Sequence, residues 1–203
     1  MKFILAGALA AASCAAAYAV AFAQPAQTMR VRGVIEKVEG STLTAKLAGN
    51  VETKLTLVGG ARIVAVVKAS MADIKEDTFL GSAAIPQPDG TQKALEVHIF
   101  PEAMRGTGEG HRPYRLPNST MTNGTISGAT VAGVDGSTMT VKYKGGEQRI
   151  VVPPGTPIVR YETGSQADLE PGAHFTVTTA TKKPDGTFEA NRINVGRDGA
   201  IPQ

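Results

Sequence analysis

The chain is poor in the residues that most chemistry needs. It holds one cysteine, no tryptophan and three histidines in 203 residues, and aromatic residues make up 5%. No cysteine pair, H-x-x-x-H or E-x-x-H pattern is present, so the spacings of ordinary metal sites are missing. There is no G-x-S-x-G and no glycine-rich loop opening a helix, which removes the usual hydrolase and nucleotide-binding signatures. The charge is only mildly basic, +3 overall. A nucleic-acid surface needs a concentrated basic stripe with stacking aromatics. Neither is seen, so nucleic-acid binding is not expected.

Long apolar runs are also scarce. The only one is Phe3–Phe22, preceded by Lys2, ending in the Ala21-Phe22-Ala23 motif and followed by Gln24-Pro25. A positive start, an apolar stretch and an A-x-A site make residues 1–23 a secretory signal peptide. Cys14 follows Ala12-Ser13, as a lipidated cysteine does, but Ala11 replaces the usual leucine and apolar residues follow. It therefore reads as part of the signal. Cleavage after Ala23 removes the only cysteine and Lys2, with no acidic residue, so the net charge falls from +3 to +2. The mature chain then has no disulfide and no further membrane span, and its expected location is periplasmic or secreted.

What the chain does contain is a repeat. Val38–Leu47, VEGSTLTAKL, returns as Val134–Tyr143, VDGSTMTVKY, and the PDG of Pro88–Gly90 returns at Pro184–Gly186. Both recur at an offset of 96 positions (38 to 134, 88 to 184). Between them Ala69–Phe79 matches Gly164–Phe175 with a one-residue adjustment. Two matches at one offset indicate two copies of one folding unit.

Within each copy the apolar residues alternate. Leu43, Ala45 and Leu47 oppose Thr42, Thr44 and Lys46, and Met139, Val141 and Tyr143 oppose Thr138, Thr140 and Lys142. Alternation of this kind marks half-buried antiparallel strands. Turns fall at Glu39-Gly40, Gly49-Asn50 and Asp89-Gly90, and again at Asp135-Gly136, Gly145-Gly146 and Asp185-Gly186. Short further strands are expected at Arg62–Val67 and Ile158–Tyr161. A helical turn follows each, starting at Ser70 and Ser165, with Ile74 and Leu169 tucked beneath it. Asp73 and Asp168 recur in those turns and are expected to satisfy turn amides. Phe79 and Phe175 read as core at matching positions.

Five main strands with a helical element after the third are the layout of an OB-like barrel. The expected fold is all-β: two tandem OB-like small antiparallel β-barrels, each with one short helical turn, at 28–100 and 125–197. The motifs VRGVIEKVEGSTLTAKL, ADIKEDTF and ALEVHI, then VDGSTMTVKY, ADLEPGAHF and ANRINV, resemble exported domains of the DUF5666 type. Copy one departs from that pattern, carrying Glu76-Asp77 where the turn usually has Pro-Gly. The arrangement also resembles a proteobacterial exported family with the motif FPEAMRGTGEGHRP, often labelled "metal ABC transporter permease". A permease needs several membrane spans, which this chain lacks after its signal.

Residues 101–124 repeat nowhere and show no apolar periodicity, so they read as a charged Gly/Pro-rich linker. This stretch concentrates the unusual chemistry. Arg105, Glu109, His111, Arg112, Tyr114 and Arg115 are the candidate binding residues, since Arg and Tyr are enriched at interfaces. The competing reading is a solvated spacer. His98, Glu102 and His111 are the candidate ligands of an alternative metal site. His98 aligns with Asn194 and reads as an outward-facing polar position. Two glycosylation sequons, at Asn118 and Asn123, matter only in a host that modifies them. The expected function is a non-enzymatic exported binding module with no cofactor, recognising an envelope protein or component. A small-ligand or metal-binding accessory protein is the alternative.

Overall fold

The computed structural model describes residues 27–128, 131–133 and 136–202. The signal reading, Cys14 and the Asp135 half of the expected Asp135-Gly136 turn lie outside them. The chain is all-β. Its strands are β1 (Thr28–Glu39), β2 (Thr42–Leu47), β3 (Glu52–Lys68), β4 (Phe79–Pro86), β5 (Gln92–Ile99), β6 (Gly110–Pro113) and β7 (Thr120–Ile126). They continue as β8 (Val131–Gly133), β9 (Gly136–Tyr143), β10 (Gly146–Val152), β11 (Ile158–Thr163), β12 (His174–Lys182) and β13 (Phe188–Gly196). Among the described residues no helix is long and apolar enough to cross a membrane.

Two closed circuits are present, each with the strand order of an OB-like barrel. One runs β1-β2-β3-β13-β12 and returns to β1; the other runs β7-β9-β10-β5-β4 and returns to β7. In both, the third strand pairs parallel to the fifth: β3 with β13, β10 with β5. Neither barrel is made from one copy of the repeat. Strands one to three come from one copy, and four and five from the other. The repeats have exchanged their C-terminal halves within one chain, an intramolecular form of domain swapping.

The crossing point is β3. Glu52–Leu57 completes the first barrel beside β2. Gly59 and Gly60 then adopt φ of 61° and 66°, a left-handed conformation that glycine enters without penalty. Four residues bulge there while β13 contributes one, as Ala190 pairs with Leu57 but Arg192 with Arg62. The second half of β3 leaves β2 but stays parallel to β13 over Arg62–Val66, and its other edge pairs antiparallel with β11. The corresponding break in copy two is Pro153–Pro157, where proline withholds the amide that a continuous strand would need.

Each barrel has its own core, drawn from both copies. Ile35, Leu43 and Leu55 pack with Phe175, Ile193 and Val195 in the first. Leu80, Val97 and Ile99 pack with Met139, Val141 and Ile150 in the second. Ile74 and Leu169 lie beneath their helical turns as expected, at 6% and 5% exposure. A third cluster, Val64, Val66, Val159 and Tyr161 with Phe100 and Met104, fills the seam between the barrels.

The recurring aspartates do what their position suggested. Asp73 accepts the Ser70 amide at 2.8 Å and Asp168 accepts the Ser165 amide at 2.7 Å. Both carboxyls also hold arginine across the seam. Asp73 meets Arg160 at 3.4 Å, Arg160 meets Glu162 at 3.0 Å, Glu162 meets Arg197 at 2.8 Å, and Arg197 meets Asp168 at 2.7 Å. One expectation shifts by a residue. Phe175 pairs with Gly33, and its counterpart opposite Gly124 is Leu80, not Phe79. Phe79 is still buried, packed on Phe100 with ring centroids 5.5 Å apart.

Candidate interaction surface

The stretch 101–124, expected as a linker without regular structure, contains two strands. Thr120–Ile126 is β7, the first strand of the second barrel, paired with β4 over six positions. Gly110–Pro113 is β6, laid antiparallel along β7. The periodicity that would have shown β7 is hidden, because both faces of TMTNGTI are covered and its interior positions hold threonine, asparagine and glycine.

Upstream of β6 the chain turns tightly. Arg105 clamps the first turn. Its Nε donates to Glu102 at 2.6 Å, its Nη2 to the Asp77 carbonyl at 2.9 Å, and its guanidinium lies over the Phe79 ring. The bond from Arg105 and its charge hold Glu102 below the usual carboxylate range, and the same bond raises Arg105. Asn123 donates to the Thr107 carbonyl at 2.9 Å, and Arg112 to the Gly108 carbonyl at 2.7 Å. Glu109 accepts the Lys144 amide at 2.9 Å and so ties the segment to the end of β9. His111 shares a 2.8 Å hydrogen bond with Thr122 and stacks on Tyr143; partial burial lowers its pKa.

Beyond β6, the Tyr114 amide donates to the Ser119 carbonyl, closing a loop that carries Arg115 and Leu116 outward. The Tyr114 hydroxyl donates to Glu96 at 3.3 Å, while Arg115 Nε donates to that hydroxyl at 3.1 Å with its guanidinium over the ring. Arg112, Arg115 and Leu116 remain exposed.

His98 is the clear correction. It is 6% exposed, not outward-facing, and so is its neighbour Glu96. The outer face of β5 is covered by Tyr161 of the other copy, whose ring stacks on His98 at 5.4 Å, and by Tyr114. Asn194, the matching residue in copy two, is also buried. Glu96 Oε1 lies 3.6 Å from His98 Nε2, beyond hydrogen-bond length. Burial alone would push the Glu96 carboxyl up, but His98, Arg115 and Tyr114 outweigh it and hold the carboxyl low. Burial pushes the Tyr161 hydroxyl well above its usual range. Burial, helped by Arg115, lowers the Arg30 guanidinium.

The six candidate binding residues are therefore brought onto one continuous segment. The three candidate metal ligands are not brought together. Glu102 is taken by Arg105, His111 by Thr122, and His98 is enclosed at the seam. Among the described residues no group of three His, Cys, Asp or Glu stands close enough to hold a metal. Sequence reasoning missed Glu96, Tyr161 and Arg30. No local pattern marks them, because the surface that buries the seam comes from the other copy and from the linker.

A shallow cleft of about 470 Å³ lies beside the PDG turn of copy one, lined by Gln87, Asp89, Thr91, Lys93 and Val151. A second, of about 300 Å³, lies over the middle of β1 at Arg32–Val34, the end of β2 and the start of β12, with Ile201 and Pro202 along it. Comparison of the chain with protein-family models, with curated proteins and with solved structures gives no match.

Proposed function

We propose that this chain is a non-enzymatic, exported interaction module that recognises a protein of the cell envelope through the segment 101–119. The observation that carries the reading is the unequal use of the segment's side chains. Arg105, Glu109, His111 and Tyr114 are spent on fixing it to the barrel. Arg112, Arg115 and Leu116 are held at the surface on that fixed frame. A loop ordered before binding loses less entropy when a partner docks, and arginine beside an aromatic ring is a common interface anchor. The signal-like start of the sequence supports export.

The test is capture of envelope proteins from the source cell by the full chain and by an Arg115→Glu/Leu116→Ser variant. Both positions are exposed, so the fold should persist, which circular dichroism checks. A defined protein retained by the wild type and lost by the variant is expected. Equal capture by both, or capture of nothing, would end this reading.

A further inference from the structure

The outer face of barrel one gathers arginine at the seam without carboxylates to match it. Arg62 of β3 stands directly opposite Arg192 of β13. Like charges set opposite one another across a strand pair are destabilising. Arg32 of β1 is opposite Thr176 of β12, and Thr176 is opposite Asn194 of β13. Two residues back along β1 and β13, which both run antiparallel to β12, the same face carries Arg30 and Arg192. They lie on either side of Thr178, which is exposed. Their backbones are two strand spacings apart, about 10 Å, a gap that two arginine side chains can close from both sides.

Tyr161 and the linker complete the surroundings. Arg115 and Glu96 are near enough to Arg30 to act on its charge, and Arg30, Arg192, Glu96 and Tyr114 all act on the Tyr161 hydroxyl. Glu96 accepts the Tyr114 hydroxyl, to which Arg115 Nε donates in turn. Arg192 is the repeat counterpart of Glu96, so a carboxylate in barrel two is a cation in barrel one. Among the described residues none of Arg30, Arg62, Arg115 and Arg192 forms an ion pair. Arg30 is the least satisfied of them. Its Nε and Nη2 are shielded from solvent and meet no acceptor. These two donors share one edge of the guanidinium, the edge that grips two oxygens of a single oxyanion. Leaving buried donors unpaired costs stability, and repulsion from Arg115 and Arg32 adds to it.

We infer that the seam beside Tyr161 is an oxyanion site for one phosphate group, gripped by the Nε–Nη2 edge of Arg30 and closed over by Arg192 and Arg115. Charge selects phosphate over carboxylate. Three guanidiniums against the one carboxylate of Glu96 leave two positive charges. A phosphate monoester carries about −1.5 to −2 at pH 7, whereas a carboxylate would leave half of that charge unmatched. Arg115 is exposed and hydrogen-bonded to Tyr114 alone, so it can turn to admit the ion and then close on it. Thr178, exposed between Arg30 and Arg192, offers a further hydroxyl donor.

The experiment is an NMR titration of the ¹⁵N-labelled protein with inorganic phosphate, glucose 1-phosphate and acetate at constant ionic strength. Saturable shifts of the Arg30 Nε–H and the Thr178 amide are expected with phosphate and not with acetate. Arg30→Met and Arg192→Gln, followed at Thr178, should each weaken binding about tenfold or more. Neither substitution removes an ion pair or a side-chain hydrogen bond, so the amide spectrum should otherwise persist, and each variant stands if the other fails to fold. Response to both phosphate compounds means that the free ion suffices; response to glucose 1-phosphate alone means that the group is taken on an organic carrier. An equal response to acetate, no saturable shift, or undiminished affinity in either folded variant overturns the inference. Arg115 also belongs to the surface proposed for partner recognition, so both variants leave Arg115 and Leu116 in place. Phosphate binding with no envelope protein captured fails that reading alone, and capture without phosphate binding fails this one alone.

Discussion

Tyr161 stands directly opposite Val66 across the β11–β3 pair, and the two are the same position of the repeat. The offset that carries Ser70 onto Ser165 also carries Val66 onto Tyr161. The pseudo-twofold axis of the molecule passes between them. Tyr161 is buried there, edge-on to Phe100 at 5.3 Å and stacked on His98.

Removing that ring should loosen the seam before either barrel. Tyr161→Ala is expected to cost about 3 kcal/mol, as truncation of a buried aromatic does. Tyr161→Phe, which keeps the ring, should cost under about 1 kcal/mol. Urea unfolding of the three proteins checks both values.

Strand exchange makes a topological prediction. A protease site placed at Gly106-Thr107, between the copies, should give two fragments that co-elute on gel filtration. Each barrel needs strands from both fragments, so they should part only in denaturant. Fragments that separate without denaturant would contradict the exchange.

The glycines under the first strands are a matched pair. A Cβ at Gly33 would come within 2.3 Å of the Lys46 carbonyl oxygen, and one at Gly124 within 2.2 Å of the Lys142 carbonyl oxygen. Backbone must move in both cases, so Gly33→Ala and Gly124→Ala should each cost about 1–3 kcal/mol. Gly40→Ala is the contrast, since only its positive φ opposes a side chain. Its cost should be near 1 kcal/mol. Thermal unfolding of the three variants tests the ranking.

Acid should weaken the seam. The hydrogen bond from Arg197, with that of the Ser165 amide, holds the Asp168 carboxyl below its ordinary value. A lowered folded-state pKa contributes stability above the unfolded value, about 3.9, and loses it as pH falls through the folded one. The melting temperature should drop below about pH 4. Asp168→Asn should be less stable at pH 7 by about 1 kcal/mol, given the partial exposure of Arg197, and flatter in acid. An unchanged acid slope in the variant would remove Asp168 from the explanation.

The hydroxyl of Tyr114 joins the linker to the buried Glu96. Tyr114→Phe should destabilise by about 1–2 kcal/mol, since it removes a donor from a buried carboxylate. Hydrogen exchange should rise at the Tyr114 amide, bonded across the loop to Ser119.

Much of the fold is legible in residues close together in the chain. The alternation of Leu43 and Ala45 with threonine marks β2, and both are fully buried. The Asp89-Gly90 and Asp185-Gly186 turns are alike, each aspartate accepting the threonine amide two residues on at 2.9 Å. Asp73 and Asp168 could be assigned to their turns because the bonds they accept span three residues. His98 could not be placed, because what buries it is Tyr161, far along the chain.

The sequence by itself determined most of the unit: the strands other than β6 and β7, the turns, the capping aspartates and the fact of two copies, set by local backbone preference and apolar period. Only the tertiary structure decided which copy completes which barrel. The strand contacts inside a barrel have the same character whether strands four and five come from one copy or the other, so no local pattern distinguishes the two arrangements. The choice rests on the seam, where β3 crosses past Gly59-Gly60 to meet β11, and where Glu96, His98 and the linker become buried together.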